Sequence, residues 1–417
     1  MLKEFSISNF RSFKDEIHFT MEASDDVSEM KNHIIKSNID NKILKVASIY
    51  GPNAGGKSNL LQAAYFLKKL FQERQYRSNR GLNNISTRII PYNIQPFLFS
   101  EQDSKVIEYS VFYINDYYKL GYQISIDVGV DGLFEGIKKE VLNYREINST
   151  ERKEVFSRES NKINSVIILA ELKMKEFVIS DDLPFVQFLY ENHVNKMKEK
   201  SFGMSLIEMF FNEINSIFQL NITKLLSTND FSFLLENMNM KAKTIEMVNK
   251  LDIPISDIIV EKGKANKENE IICVYKIGNI SKKLNIRDES AGTRSLLRLL
   301  PRIISTIEEG GILIVDDLDL HLHPKLISKI IQLFNSDYNQ KAQLIFTSHD
   351  ILNMSSDNFR RDEIWFVYRN EQLSSEVVCL SDFVNYKNEK VRKDAKYSKQ
   401  YMEGKYGADP FITKDLN

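Results

Sequence analysis

The feature that most constrains the fold is the glycine-rich run GPNAGGKS at residues 51–58, which fits the pattern G-x-x-x-x-G-K-[ST]. The apolar run KVASIY (45–50) before it predicts a buried strand. The residues after it predict a helix, because apolar side chains recur at helical spacing at Leu60, Leu61, Ala64, Leu67 and Phe71. In such a loop backbone N–H groups converge on phosphate oxygens, and the helix N-terminus adds positive potential. The run therefore predicts a phosphate-binding loop; the alternative is a glycine turn that merely joins strand to helix.

Within this loop, two residues have specific predicted roles. Lys57 is expected to reach the β- and γ-phosphates of a nucleotide, and Ser58 to ligate Mg²⁺. Further contacts to the nucleotide are predicted from the loop and the residue after it: Asn53, Ala54, Gly55, Gly56 and Asn59. ATP and Mg²⁺ are the predicted cofactors, with GTP as an alternative because such loops read phosphates rather than bases.

A second magnesium contact is predicted at the end of the apolar run ILIVD (312–316). Two adjacent carboxylates, Asp316 and Asp317, close this run, and a metal ion is the simplest compensation for burying them. Asp316 is predicted to lie on the magnesium side, and Asp317 where a water-activating base would be. The alternative is that both aspartates cap the next helix.

Two further polar features fit the same site. His349 follows QLIFTS (343–348), predicted to be the last buried strand, and its position favours a hydrogen bond to the γ-phosphate. The run ESAGTRSLLRLL (289–300) places Ser290 and Gly292 before an apolar-striped helix, which predicts an anion site at its N-terminus. Because one loop already holds one nucleotide, this second site suggests contact with a nucleotide bound to another subunit; ordinary helix capping is the alternative.

The apolar patterns predict an α/β fold with three parts. An antiparallel hairpin is predicted between Val106 and Val128, around Asn115 and Asp116. Helical spacing from about residue 180 to 250, including Ile217 and Phe218, predicts a helical insertion. Strands alternating with helices in the C-terminal half predict a parallel sheet. We therefore predict the N-terminal half of the nucleotide-binding domain with an antiparallel β subdomain at 1–145, a mostly helical insertion at 146–264 and the C-terminal half at 265–417.

Composition excludes several classes of protein. The 56 Lys and Arg residues against 57 Asp and Glu give a formal charge of −1, so no bulk basic field attracts nucleic acid or anionic membranes. Cys273 and Cys379 lie far apart, which argues against a disulfide scaffold or a cysteine zinc site. No stretch approaches the ~20 apolar residues of a membrane span. We expect a cytoplasmic protein with no membrane partner.

The runs GPNAGGKS, ESAGTRS, IVDDLD and TSHD, in this order, resemble the ABC-type ATPase heads of SMC and coiled-coil repair proteins. With NFRSF (9–13), LHP (322–324) and the tail KVRKDAKYSKQYMEGKYGADPF, the chain looks like the bacterial AAA family 15 ATPases. The resemblance covers residues 1 to about 145 and 265 to 417 and implies an ABC-ATPase head. It also implies a homodimer or higher homo-oligomer joined head to tail, in which Lys57 and Ser58 face another copy's Ser290, Ala291, Gly292 and Thr293.

The same resemblance implies roles for three more residues. Gln95 corresponds to the glutamine that senses magnesium and the attacking water, although a Gln before Pro96 is also common in ordinary loops. Arg11 is expected near the phosphates or the partner subunit, with a plain surface position as the alternative, and Asp319 at the dimer seam. His323 matches the LHP turn, so the H-x-H pattern that it forms with His321 is not predicted to bind metal.

One departure from the family pattern concerns rate. ABC-type heads usually carry Glu after the magnesium aspartate, whereas this chain has Asp317, whose side chain is one methylene, or about 1.5 Å, shorter. A misplacement of about 1 Å can cost ~100-fold in rate. We therefore expect slow hydrolysis, with ATP bound long enough to hold an assembly.

Members of this family commonly act as sensors in anti-phage abortive-infection systems such as the PARIS type, where the ATPase pairs with a toxic effector, often a TOPRIM nuclease. By analogy we expect an ATPase scaffold that controls a separate effector protein, a toxin or nuclease, because the chain ends soon after the last motif.

The main rival is a DNA-engaging repair ATPase. Its local support is the basic tail, in which tyrosines are interleaved with lysines and arginine; the alternative is an ordinary solvent-exposed surface of mixed charge. The basic residues are Lys387, Lys390, Arg392, Lys393, Lys396, Lys399 and Lys405, and the tyrosines are Tyr386, Tyr397, Tyr401 and Tyr406. A transporter ATPase is disfavoured, since the long insertion and YGADPF have no place in that pattern.

Overall fold

The computed structural model describes residues 1–24, 30–35, 42–71, 95–99, 106–129, 134–174, 177–194, 199–221, 235–261, 269–384, 390–392 and 395–406. Its strands are β1 Leu2–Ser8, β2 Ile17–Thr20, β3 Val46–Tyr50, β4 Val106–Ile114, β5 Tyr118–Val128, β6 Phe134–Glu146, β7 Lys153–Glu159, β8 Lys162–Asn164, β9 Ile217–Asn221, β10 Ile255–Glu261, β11 Glu270–Ile277, β12 Ile280–Asn285, β13 Ile312–Asp316, β14 Gln343–Thr347, β15 Ile364–Arg369 and β16 Ser375–Cys379. Its helices are α1 Lys57–Ala64, α2 Ile167–Glu171, α3 Phe185–Asn192, α4 Phe202–Asn215, α5 Met238–Lys250, α6 Ala291–Glu309, α7 Pro324–Asn335 and α8 Tyr397–Met402.

The central sheet has six strands in the order β16-β15-β3-β14-β13-β9. Strands β15, β3, β14, β13 and β9 run parallel, and β16 closes one edge as an antiparallel hairpin with β15. The carboxyl ends of β3, β13 and β14 therefore meet at one rim, where ligands bind in open α/β sheets. This rim brings together the glycine loop after β3, the aspartates after β13 and the histidine after β14.

Both faces of the central sheet are buried. Alternate residues of β3 enter opposite cores, with Ala47 and Ile49 on one side and Val46 and Tyr50 on the other. The first core joins this sheet to α1, α4 and the antiparallel sheet. The second core joins it to α6 and α7 and to α8 of the tail. Burial on both faces explains why these strands are continuous apolar runs.

The antiparallel β subdomain is a sheet of seven strands in the order β2-β1-β4-β5-β6-β7-β8. The predicted hairpin is confirmed as β4 and β5, which pair in register from Val106–Asp127 to Ile114–Lys119. A third sheet, β10-β11-β12, leads through residues 286–288 into α6. The predicted α/β fold class, with a mixed sheet at the glycine loop and an antiparallel subdomain, is confirmed.

Two sequence expectations are wrong. Ile217 and Phe218 are not helical: α4 ends at Asn215, and both residues pair with β13, opposite Ile312 and Leu313. QLIFT is not the last buried strand, since β15 follows it and pairs with β3. In each case long-range strand pairing overrides a local pattern.

The predicted insertion, 146–264, contains helices α2 to α5 and also strands β7 to β10. Strands β7 and β8 extend the antiparallel sheet, and β9 joins the edge of the central sheet. The three domain boundaries stay predictions. Among the described residues, none of the helices has both the length and the apolar character needed to cross a lipid bilayer.

Candidate active site

The glycine loop is held tightly against the central sheet. A Cβ built on Gly51, whose φ is +152°, would lie 2.0 Å from the Val367 carbonyl oxygen, and one on Gly55 would lie 2.7 Å from it. Only glycine allows this approach of two backbones. Ser375 at the start of β16 donates to the Gly55 carbonyl oxygen at 2.6 Å. The β15–β16 hairpin thus supports the loop that the sequence predicts.

Lys57 begins α1 and turns its ammonium back over the loop. Its Nζ donates to the carbonyl oxygens of Gly51 and Pro52 at 2.9 and 3.2 Å. The side chain is buried, and burial lowers the pKa of Lys57, opposed by the charges of Asp317, Asp316 and Asp319. A cation is therefore held at the mouth of the loop and faces carboxylates from the neighbouring strand end.

Ser58 and Asp316 meet between the loop and β13. The Ser58 hydroxyl donates to Asp316 Oδ1 at 3.1 Å, and the Thr347 hydroxyl at the end of β14 donates to the same oxygen at 2.8 Å. Asp316 is nearly buried and Ser58 is exposed, so the carboxylate lies at the floor of the site and the hydroxyl at its opening. The two predicted magnesium residues are adjacent in one chain.

Asp317 follows in a left-handed backbone conformation, with φ of +54°. Its N–H donates to Thr347 Oγ1 at 2.8 Å, and the N–H of Leu318 donates to the Thr347 carbonyl oxygen at 3.0 Å. Burial and the neighbouring charge of Asp316 raise the pKa of Asp317, while His349 opposes the rise. A raised pKa moves a carboxylate toward the range in which a general base works best near neutral pH.

His349 projects from the end of β14 toward the same carboxylate. Its Nε2 lies 3.9 Å from Asp317 Oδ1, and both side chains are partly exposed. Its backbone N–H donates to Asp319 Oδ1 at 3.1 Å, which ties the turn after β13 to the turn after β14. The predicted catalytic pair, Asp317 and His349, lies at the opening of the site.

Arg11 and Gln95 approach the site from its other side. Arg11 Nη1 donates to Asn59 Oδ1 at 2.8 Å in the first turn of α1, and the Arg11 N–H donates to the Gln95 carbonyl oxygen at 2.8 Å. Asn59 in turn donates to the Ser12 hydroxyl at 2.8 Å. The Gln95 side chain is exposed, and the residue contacts Arg11 through its backbone carbonyl oxygen. Its predicted role toward magnesium stays a prediction.

The ESAGTRS run lies at the N-terminus of α6. The hydroxyl of Ser290, the N-cap residue, accepts from the Thr293 N–H at 3.1 Å and lies 2.9 Å from Thr293 Oγ1. Ser290 is exposed, Ala291 and Thr293 are half-buried, and a Cβ on Gly292 would lie 2.9 Å from the His321 carbonyl oxygen. The helix start is thus in contact with the turn that carries Asp319 and His321. His323 caps α7, because its Nδ1 accepts from the Lys325 N–H at 3.2 Å.

The residues present fit a magnesium–triphosphate. Mg²⁺ is usually bound by one or two protein oxygen ligands together with substrate phosphates and water. Ser58 Oγ and Asp316 supply two such oxygens within 3.1 Å of each other. Among the residues that the structure describes, no group of three or more His, Cys, Asp or Glu side chains could hold a metal ion alone. Glycines 51 and 55, where a Cβ cannot fit, let the loop backbone lie directly against Val367 of β15.

A cavity of about 240 Å³ adjoins the loop on the α8 side. Its walls include Tyr50, Asn53, His349, Tyr401 and Met402. Tyr397, Tyr401 and Tyr406 of the tail are buried, and two of them stack on Phe366 with ring centroids 5.3 and 5.1 Å away. These rings are packed in the core and cannot stack on nucleic acid bases, which removes part of the local support for DNA binding. Tyr386, Lys387 and Lys393 lie outside the described residues.

Sequence reasoning missed Thr347 and Ser375. Both supply short polar contacts to predicted site residues, yet neither was itself predicted to belong to the site. The signal for Thr347 was its place two residues before His349 at the end of a parallel strand. Ser375 offered no comparable signal, because β16 reaches the loop only through the pairing of β15 with β3.

A model of the family described as "AAA domain, putative AbiEii toxin, Type IV TA system" matches residues 46–355, more than half of the chain. No curated protein matches it. Similar solved structures include an SMC head bound to the C-winged helix domain of ScpA (15% identity, TM-score 0.45, covering 91% of this chain and 97% of that one). Two others are the SMC head domain from Thermotoga maritima (11%, 0.41, 91% and 98%) and an SMC head with an extended coiled coil bound to the C-terminal domain of ScpA derived from Pyrococcus furiosus (15%, 0.42, 91% and 96%).

Proposed function

The chain belongs to the AAA domain family described as a putative AbiEii toxin of a type IV TA system, and from this membership we propose that it binds and slowly hydrolyses ATP with Mg²⁺. The observation that carries the proposal is the group formed by Lys57, Ser58 and Asp316, with Ser58 Oγ 3.1 Å from Asp316 Oδ1. This is the set of a loop lysine, a loop hydroxyl and a strand-end carboxylate that P-loop enzymes use for a magnesium-bound triphosphate.

Each side chain has one task in this proposal. Lys57 leaves the carbonyl oxygens of Gly51 and Pro52 and places its charge against phosphate oxygens. Ser58 and Asp316 hold the metal, which neutralises the charge that develops on the phosphates. Asp317 accepts a proton from the attacking water, and His349 donates a hydrogen bond to the γ-phosphate side of the site. Further contacts to the phosphates would come from Asn53, Ala54, Gly55, Gly56, Asn59 and Arg11. Gln95 would sense the magnesium ion and the attacking water.

The site is completed by a second copy of the chain. Ser290, Ala291, Gly292 and Thr293 of one subunit are proposed to cover the nucleotide held by Lys57 and Ser58 of the other. The exposed Ser290 at the start of α6 supports this arrangement, because the N-terminus of a helix and its dipole suit an anion. The resulting homodimer or higher homo-oligomer would open and close with the nucleotide.

In the cell, the proposed role is a sensor or scaffold that controls a separate effector protein, a toxin or nuclease, in anti-phage defence. The family description names a toxin and a TA system, which supports this setting. The PARIS-type comparison remains an analogy. The rival role, a DNA-engaging repair ATPase, has less support because the tail tyrosines Tyr397, Tyr401 and Tyr406 are buried.

The biochemical test is binding of a fluorescent ATP analogue and release of phosphate by the purified chain. We expect Mg²⁺-dependent binding and turnover below the 1 to 100 s⁻¹ typical of kinases. Absence of nucleotide binding by the wild-type chain at millimolar ATP would contradict the proposal. Duplex DNA binding measured over a salt series separates the rival, because phosphate contacts give an affinity that falls steeply with salt.

The cellular test is phage plating on cells that carry the chain with its neighbouring genes. Protection that requires both Lys57 and Asp316 is expected, with Lys57→Ala and Asp316→Asn as the variants. Plating efficiency equal to that of cells without the genes, for a panel of unrelated phages, counts against the defence role and leaves the ATPase proposal standing.

A further inference from the structure

Thr347 ends β14 and is fully buried at the floor of the site. Its hydroxyl has two partners that belong to the adjacent strand end. It donates to Asp316 Oδ1 at 2.8 Å and accepts from the Asp317 N–H at 2.8 Å. One side chain from β14 therefore contacts both of the predicted site aspartates on β13.

The backbone of Thr347 adds a third contact to the same turn. Its carbonyl oxygen accepts from the Leu318 N–H at 3.0 Å. Together the two acceptors of Thr347 fix the N–H groups of Asp317 and Leu318 on either side of the left-handed residue. A non-glycine residue in this conformation persists only where the surroundings determine it, and Asp is among the residues that tolerate it best.

We propose that Thr347 is a positioning residue for hydrolysis, which sets the metal carboxylate of Asp316 and the base carboxylate of Asp317 at once. The inference rests on the proposed function. The hydroxyl holds Oδ1 of Asp316 from one side, and the Ser58 hydroxyl holds the same oxygen from the other, at 3.1 Å. The hydroxyl also orients the Asp317 backbone, from which the carboxylate points toward His349, with Oδ1 3.9 Å from Nε2.

The chemistry explains why a hydroxyl is needed at this position. The hydroxyl donates a hydrogen bond to the Asp316 carboxylate and accepts one from the Asp317 N–H, so the group at this position must be both donor and acceptor, in fixed directions. Valine has the same shape and neither function. Loss of the hydroxyl leaves the Asp317 N–H and one oxygen of Asp316 without this partner, and groups that orient metal ligands typically change metal affinity 10- to 100-fold when removed.

The experiment compares Thr347→Val and Thr347→Ser with the wild type. Binding of a fluorescent ATP analogue is titrated in EDTA and in increasing Mg²⁺, and phosphate release is measured separately. For Thr347→Val we expect wild-type affinity in EDTA and a requirement for Mg²⁺ raised about 10-fold or more, together with a loss of turnover. Thr347→Ser keeps the hydroxyl and is expected to restore the Mg²⁺ dependence.

A matched control is Thr306→Val in α6. Thr306 is also fully buried, and its hydroxyl donates to the Arg302 carbonyl oxygen at 2.7 Å, within its own helix. This variant tests the loss of a buried hydroxyl away from the site and is expected to leave the Mg²⁺ dependence unchanged. If Thr347→Val does not fold, Thr347→Ala serves in its place.

Two results would overturn the inference. One is a wild-type Mg²⁺ dependence in Thr347→Val; the other is a serine variant as defective as the valine variant. Both require that the wild type binds nucleotide. If the wild type itself shows no Mg²⁺-dependent binding, the proposed function fails, and that outcome is distinguishable from a failure of the Thr347 role alone.

Discussion

The proposed nucleotide site has a loop side, formed by residues 51–58 with Asp316 and Thr347, and a signature side, formed by residues 290–293 at the start of α6. The two sides are built in different ways. On the loop side, Ser58, Asp316 and Thr347 come from three segments of one chain and are joined by hydrogen bonds of 2.8 to 3.1 Å. On the signature side, exposed Ser290 contacts Thr293 of its own helix. The loop side is complete within one subunit, whereas the signature side presents a helix start to its surroundings. If the proposed function holds, we expect one chain to be enough for nucleotide binding and two chains to be needed for hydrolysis.

Lys57→Ala should have the largest effect and tests the loop side. Removing the loop cation is expected to weaken nucleotide binding and to lower turnover by about 100- to 1,000-fold, the scale seen when one charge-stabilising donor is lost. Fluorescent nucleotide titration and phosphate release measure the two quantities. Lys329→Ala, at an exposed lysine of α7 that bonds Gln332, is the control and should match the wild type. Nucleotide affinity that survives in Lys57→Ala would break the assignment of binding to the loop.

Ser290→Arg tests the signature side, with a bulky cation at the exposed N-cap of α6. We expect nucleotide binding to survive and hydrolysis to fall, because the arginine prevents this helix start from covering the nucleotide held by the second copy. Mixing this variant with Lys57→Ala sharpens the comparison: random pairing puts one intact composite site in half of the dimers and should recover about a quarter of the wild-type rate.

The control for this mixture is Lys57→Ala mixed with Asp316→Asn, two changes on the same loop side. This pair leaves no intact composite site in a mixed dimer and should recover no activity. Recovery in both mixtures, or in neither, would contradict the division of the site between two chains. Ser290→Ala removes the N-cap without adding bulk or charge, so it shows how much of the loss in Ser290→Arg comes from capping alone.

Asp317→Glu should have a smaller effect. Adding one methylene moves the base about 1.5 Å toward water, and we expect turnover to rise about 10-fold. The left-handed backbone at this position, with φ of +54°, opposes part of the gain, because glutamate tolerates it less well than aspartate. Phosphate release and thermal unfolding of the variant measure the gain and its cost in stability. A glutamate variant as slow as the wild type would show that the short carboxylate does not limit the rate.

The sequence predicted the loop side far better than it predicted strands β15 and β16, which support the glycine loop. The strand, loop and helix around Lys57 were predictable because glycine spacing and apolar period are local signals, and Asp316 and His349 followed from strand ends. Strands β15 and β16 were not anticipated as the support of the loop, since their contact with Gly51 and Gly55 depends on pairing between distant segments. Ile217 and Phe218 continued an apolar helical run, and periodicity alone cannot separate such a run from a short buried strand.

The smallest expected effect is on the stability of the folded chain, through the ionised carboxylate of Asp317 on the loop side. Burial and the charge of Asp316 raise the pKa of Asp317 in the folded chain. A carboxyl whose pKa is raised by folding contributes stability that is present below its ordinary pKa of about 3.9 and lost as pH rises through its folded value. At neutral pH the ionised Asp317 therefore destabilises the fold, and Asp317→Asn should raise the melting temperature by about 1 °C while it abolishes turnover.

That gain should shrink as the pH is lowered toward 4, because the wild-type carboxyl then becomes protonated and resembles the amide. Calorimetry of both proteins from pH 8 downward measures the difference, with Asp357→Asn at an exposed position as the control. Ser290→Asn replaces one uncharged side chain by another, so it should show no pH-dependent difference of this kind. A stability gain in Asp317→Asn that is equal at all pH values would mean that the ionised Asp317 carboxylate, disfavoured by burial and by the charge of Asp316, is not its cause.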